Sequence, residues 1–188
     1  MSRDARPWIL SLVVVALSAA WLLLDGRQAW PSSGHVQLWY DDPWGPEGSQ
    51  HLLDWYSPSH VIHGLLFFGV LWLVARRLAL GWRFLIAVVV ECAWELTENS
   101  DAVIERYRNA TVSKDYLGDS VLNSVMDVGC MAVGFWLARR LPVWASVLLA
   151  LAFEAFTTWM IRDGLALNVL MLLWPVEAVR AWQAGVAG

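Results

Sequence analysis

Two histidines three residues apart, His60 and His63, stand in an otherwise apolar run, and two carboxylate stripes follow them. On a helix the histidines share a face. Glu91, Glu95 and Glu98 make an i, i+4, i+7 stripe with Asn99 alongside, and Asp119, Asn123 and Asp127 make an i, i+4, i+8 stripe flanked by Ser120 and Ser124. Imidazole with several carboxylates is a ligand set for a divalent ion such as zinc, manganese or iron. A bound cation would also offset the repulsion among so many acids. In this reading His60, His63, Glu91 and Asp127 hold the metal, which lowers the pKa of a bound water. Glu95, Glu98, Asp119 and Asn123 then form the catalytic group, with a glutamate as general base. Ser57, Asn99 and Ser120 are expected to contact substrate, and Arg106 and Arg108 suit a phosphate. The competing reading is a hydrogen-bonded polar core that cements helices together.

The elements that must carry these residues are membrane helices. Of 188 residues 58% are hydrophobic and 16% charged, mean hydropathy is +0.48, and there are 14 Trp. Ordinary soluble domains are less apolar and more charged. A net charge of −4 excludes a nucleic-acid partner. Cys92 and Cys130 both lie in apolar runs, so a secreted disulfide scaffold is excluded. Six stretches are apolar enough to cross a bilayer: 8–24, 57–75, 83–103, 117–138, 143–161 and a weaker 165–179. The expected fold is an all-α, polytopic transmembrane bundle of about six spans. It forms a single domain over 1–188, with a Trp-rich outer loop at 26–56 and a core at 57–161 that carries the polar site. The first stretch resembles a signal peptide, but its apolar run continues through Trp21-Leu22-Leu23-Leu24, as an uncleaved anchor would.

Of the 13 Lys and Arg residues, eight fall on one side of this layout: Arg3, Arg6, Arg76, Arg77, Arg83, Arg139, Arg140 and Arg180. Positive charge marks the cytoplasmic side, so both termini are expected there. At about 1.5 Å per residue, the carboxylates of the third and fourth spans then reach similar depths in the outer half of the membrane. The histidines enter at the same height, which points to one convergent site open to the outer side. Below Glu91 and Asp127 the three helices are apolar, as a dry plug would be.

The chain also shows a possible duplication at an offset of 63. Ala75-Arg76-Arg77-Leu78 matches Ala138-Arg139-Arg140-Leu141, and Glu91 matches Glu154. A true repeat would bring Glu154 into the central site. The alternative is that Arg-Arg turns recur because positive charge is needed inside.

A longer series of motifs can be compared as a whole. It runs Gln50-His51-Leu52, Ser57-Pro58-Ser59-His60-Val61-Ile62-His63-Gly64, Glu91…Trp94-Glu95…Glu98-Asn99 and Glu105-Arg106-Tyr107-Arg108. It continues with Asp115-Tyr116…Gly118-Asp119-Ser120-Val121…Asn123-Ser124…Asp127, Ile161-Arg162-Asp163 and Trp174-Pro175-Val176-Glu177-Ala178. This series resembles domain-of-unknown-function family 2585, multi-pass membrane proteins of bacteria, and more loosely VanZ-like proteins. The resemblance implies the bacterial inner membrane and supplies no activity.

Three functions follow as expectations. The first is a metal-dependent hydrolase or transferase acting from the outer side on a lipid or lipid-linked envelope substrate. The second is a proton- or ion-coupled transporter, since stacked carboxylates with histidines make a relay. The third is a subunit or assembly factor of a membrane complex. The expected partners are the bilayer, such a lipid, and either a second copy of the chain or another membrane protein.

Overall fold

The computed structural model describes residues 4–185; Arg3, counted above among the inner charges, lies outside them. Eight helices follow in order: α1 (Arg6–Leu24), α2 (Ser57–Val74), α3 (Leu80–Glu98), α4 (Asp101–Ala110), α5 (Val121–Arg140), α6 (Val143–Ile161), α7 (Leu165–Leu173) and α8 (Glu177–Ala184). The fold is all-α. Four helices, α1, α2, α5 and α6, are long and apolar enough to cross a membrane. The 19-residue α3 packs beside α1 and α5 and carries Arg83, Glu91, Glu95 and Glu98 on an otherwise apolar sequence.

Local rules explain the boundaries. Pro7 and Pro58 sit in the first turns of α1 and α2, where a missing N–H costs nothing. Ser120 caps α5 by accepting from the Asn123 N–H at 3.1 Å. At the centre α2 lies against α5 with the backbones nearly touching. A Cβ on Gly64 would strike the Met131 carbonyl, and one on Gly134 would strike the Val61 carbonyl. Small residues at such a crossing allow dense contact between helices that have no hydrophobic driving force in lipid.

At the end of the bundle holding the Arg76-Arg77 turn, Phe84 packs on Trp8, Phe135 and Trp136. Above these rings lie Ala87, Val88, Cys92, Val128 and Met131, all buried. The expected apolar plug is present. The other end is built from loops. Arg27 pairs with Asp101 at 2.7 Å, and the start of α5 is held by backbone bonds to Gln28, Ala29 and Ser49.

The six-span layout does not hold. A nine-residue α7 is about 14 Å long, half of what the hydrocarbon requires. After the Trp174-Pro175 break the chain turns back. Arg162, which follows α6, donates to the Trp182 carbonyl at 2.6 Å and stacks on the Trp182 ring, and Gln183 donates to the Arg162 carbonyl at 3.1 Å. The α7–α8 hairpin therefore closes on the loop end of the bundle, opposite the start of α1. Among the described residues, α1 therefore starts at one end of the bundle and α8 lies at the other. The duplication also loses its support. Glu154 does not join the central site but accepts from the Leu165 and Ala166 N–H groups at 3.0 and 2.8 Å, capping α7.

Candidate metal centre and its vestibule

His60 stands at the middle of the polar residues. Its Nδ1–H donates to Glu91 Oε1 at 2.8 Å, and its Nε2 faces Asp127 Oδ2 at 3.8 Å. His63 Nδ1–H donates to Glu91 as well, at 3.0 Å to Oε2. Glu91 is fully buried and has two imidazole donors, so its charge is well served. Glu95 and Asp127 are different. Both Glu95 oxygens and Asp127 Oδ1 have no hydrogen-bond partner, although the residues are only 1% and 3% exposed. Buried carboxylates in that state are costly unless a proton or a bound cation neutralises them.

Two ligand groups emerge, His60–His63–Glu91 and His60–Glu95–Asp127, each with its ligand atoms within 4.8 Å of one another. Ligand atoms about 2.1 Å from an ion lie up to roughly 4 Å apart, so small side-chain movements suffice in either group. The second fits an ion better, because it contains the oxygens without partners. In that arrangement Glu91 orients His60 from behind through the other ring nitrogen, a regular feature of imidazole ligands. With Nδ1 donating to Glu91, Nε2 is left to bind an ion beside Asp127; Glu95 Oε1, which lies 3.6 Å from Nδ1, would have to swing toward Nε2 to join it.

Above this centre a cavity opens toward the loop end. His60 and Asp127 lie at its floor, Glu98, Asp119, Tyr56 and Tyr107 on its walls, and Pro43, Trp44 and Pro46 of the Trp-rich loop form its rim. It has about 40 Å³ open to the centres of water molecules, room for roughly three of them. The loop is held by buried His51, which stacks on Tyr40 and accepts from the Gln37 N–H at 3.2 Å. Glu47 adds a bond from the Ser33 N–H at 2.8 Å.

The other polar residues named from the sequence are elsewhere. Asn99 exchanges bonds with Asp119, donating to Oδ2 at 2.9 Å and accepting from its N–H at 2.6 Å. Ser120 and Asn123 donate to the Gln50 and His51 carbonyls, both at 2.8 Å, and Ser57 Oγ accepts from the Asp54 N–H. Asn99 thus ties the end of α3 to the start of α5, and Ser120 and Asn123 clasp the loop to α5, so the polar-core reading describes them. Asp119 does both jobs, since it also faces the cavity. Arg106 and Arg108 do not line the cavity; they donate to the Leu172 and Tyr116 carbonyls.

Sequence reasoning missed a second polar cluster. Tyr56 and Tyr107 converge on Asp163 Oδ2 at 3.1 and 3.4 Å, and Asn168 donates to the Tyr107 hydroxyl at 2.7 Å. These residues come from four separate segments with no shared spacing. Burial pushes the Asp163 carboxyl up to about 6, against the lowering effect of bonds from the Gly164 N–H and the two hydroxyls. A folded-state value above the ordinary 3.8 means the folded chain holds this proton more tightly than the unfolded one. The contribution to stability is complete below about pH 4 and is lost as pH rises through 6, a change of about 3 kcal/mol. Asp163→Asn should remove that loss. Thermal unfolding in detergent from pH 4 to 7 should show the variant gaining on the wild type across this window; a constant difference would refute the assignment.

The chain belongs to a bacterial family described as "Protein of unknown function (DUF2585)", which matches residues 22–185. Among curated proteins, the UPF0314 protein of Paracoccus denitrificans is 60% identical over 185 residues, covering 98% of this chain and 96% of the relative. Those of Rhizobium meliloti and Novosphingobium aromaticivorans are 52% and 50% identical, covering 98% and 91% of this chain and 94% and 89% of theirs. No solved structure matches.

Proposed function

We propose that this member of the family is a divalent-metal enzyme of the bacterial inner membrane, a hydrolase or transferase whose cavity opens to the outer side toward a lipid or lipid-linked envelope substrate. One observation carries the reading: at the floor of a cavity, His60 Nε2 faces Asp127 while the carboxylate oxygens of Glu95 and Asp127 lack partners. A divalent ion held there supplies a water acidic enough to ionise near neutral pH. Glu98 lines the same cavity with Oε2 free of a partner and is placed to take the proton as general base. The aromatic plug supports an enzyme over a transporter, because among the described residues the cluster between the centre and the Arg76-Arg77 end is apolar.

The test uses protein reconstituted with a bacterial envelope lipid extract, stripped with chelator and reloaded with Zn²⁺ or Mn²⁺. Mass spectrometry should show one lipid class consumed only with metal, and not by Glu98→Gln. Identical lipid profiles with and without metal would overturn the reading.

Sidedness follows from the charges. Arg76, Arg77, Arg139 and Arg140 gather at the plug end, which supports a cytoplasmic position for that end. The loop end and the α7–α8 hairpin then face the periplasm. An alkaline phosphatase fused after the last residue is expected to be active, and a fluorescent protein there that matures only in the cytoplasm should stay dark. The reverse pattern would invert the assignment.

A further inference from the structure

The vestibule above the metal centre is chemically one-sided. Above the floor formed by His60 and Asp127, Glu98, Asp115 and Asp119 line it together with aromatic side chains, among them Trp44, Tyr107 and Tyr116, and no Lys or Arg is among its lining residues. The nearby guanidinium groups of Arg106 and Arg108 are turned to backbone carbonyls. Such walls repel phosphate and carboxylate groups and attract a cation, and aromatic faces add to that attraction. The acidic lining is accompanied by unmet bonding capacity. The Glu98 Oε2 atom is buried and has no partner. The Trp44 indole N–H at the rim is buried and also has no acceptor.

We propose that the vestibule recognises a small organic ammonium group that carries an oxygen on a neighbouring carbon. The ammonium lies against the Glu98 and Asp119 carboxylates beside the Tyr107 and Tyr116 rings, and its oxygen accepts from the Trp44 indole. This rests on the enzyme reading above for the role of the bound group, and it changes the expected substrate chemistry. Phosphate recognition by Arg106 and Arg108 is replaced by recognition of a cation. The space of about 40 Å³ fits a head group of a few atoms and excludes a sugar unless residues 43–48 move. An amino-alcohol head group on a lipid and the free amino alcohol share this chemistry.

Calorimetric titration of the full chain in nanodiscs tests the proposal, using ethanolammonium, ethylammonium and inorganic phosphate as probes. Ethanolammonium should bind saturably, ethylammonium about tenfold more weakly, and phosphate not at all. Glu98→Gln and Trp44→Phe should each weaken ethanolammonium binding about tenfold or more while metal content stays at the wild-type level. Nanodiscs of phosphatidylethanolamine, compared with phosphatidylglycerol, separate the two sources. Competition from the former assigns the lipid head group, and equal affinity assigns the free compound. Ethanolammonium binding by chelator-stripped protein, with no metal ever found, would sink the enzyme reading and leave this one standing. Folded, metal-containing protein that binds no ammonium probe, or binds phosphate better, would overturn the proposal. So would wild-type affinity in both variants.

Discussion

Replacing His60 with alanine is expected to reduce divalent-metal affinity on the order of 100-fold or more, measured by competition with a chromogenic chelator. Changes to groups that only orient a ligand typically cost 10–100-fold, and loss of a ligand costs at least as much. The substitution removes the imidazole that faces Asp127, and it takes one of the two histidine donors from Glu91. Glu91→Gln keeps His60 in place and should fall within roughly the 10–100-fold range. Asn99→Ala breaks the tie between α3 and the start of α5, and Ser120→Ala the one between the loop and α5, so they should lower the unfolding temperature without changing the affinity of the protein that remains folded. His60→Ala that binds metal as tightly as the wild type would remove His60 from the centre.

Gly134→Leu is expected to separate α2 from α5 and to lose both stability and metal. Even a Cβ at this position meets the Val61 carbonyl and the Gly64 Cα. A leucine must push the helices apart. Overpacking commonly costs about 1–3 kcal/mol, and backbone contact puts this case at the upper end or beyond. His60 lies within one turn of Gly64 and Asp127 within two turns of Gly134, so the same displacement separates His60 from Asp127. Gly129→Ala on the same helix meets open space and should leave both properties unchanged. Thermal unfolding with metal content on the same samples checks the pair. Gly134→Leu unfolding like the wild type would contradict the close crossing.

Part of this arrangement is legible in the sequence. Helical spacing is a local property, and it brings His60 to the acids of α3 and α5 at matching depth, because long membrane helices share one axis direction. What spacing leaves open is how each polar residue divides its bonds. Glu95 and Glu91 differ by one turn, yet Glu91 accepts hydrogen bonds from two histidines, while Glu95 accepts none and only approaches His60 Nδ1 at 3.6 Å. That outcome depends on the rotation of α2 against α3, which hydropathy does not encode. Asn99, Ser120 and Asn123 look like site residues for the same reason, and their partners turn out to be the backbone of residues 50–51 and Asp119.

In the C-terminal region hydropathy alone overstates the length of the helix. Residues 165–179 have span-like hydropathy, but Pro175 and the return of Trp182 to Arg162 make them a short hairpin. The cluster of Tyr56, Tyr107, Asp163 and Asn168 was illegible, since a long-range meeting of single residues leaves no periodic trace.

The central claim is that Glu95, Asp127 and His60 hold a divalent ion. X-ray absorption at the metal edge, on protein purified without chelator and quantified by elemental analysis, tests it most directly. The expected result is about one ion per chain in a shell of oxygens with a single imidazole, lost in a Glu95→Gln, Asp127→Asn double variant that still folds. A folded wild-type protein that takes up no divalent ion even when reloaded, or one whose ion and coordination shell are unchanged in the double variant, would contradict it.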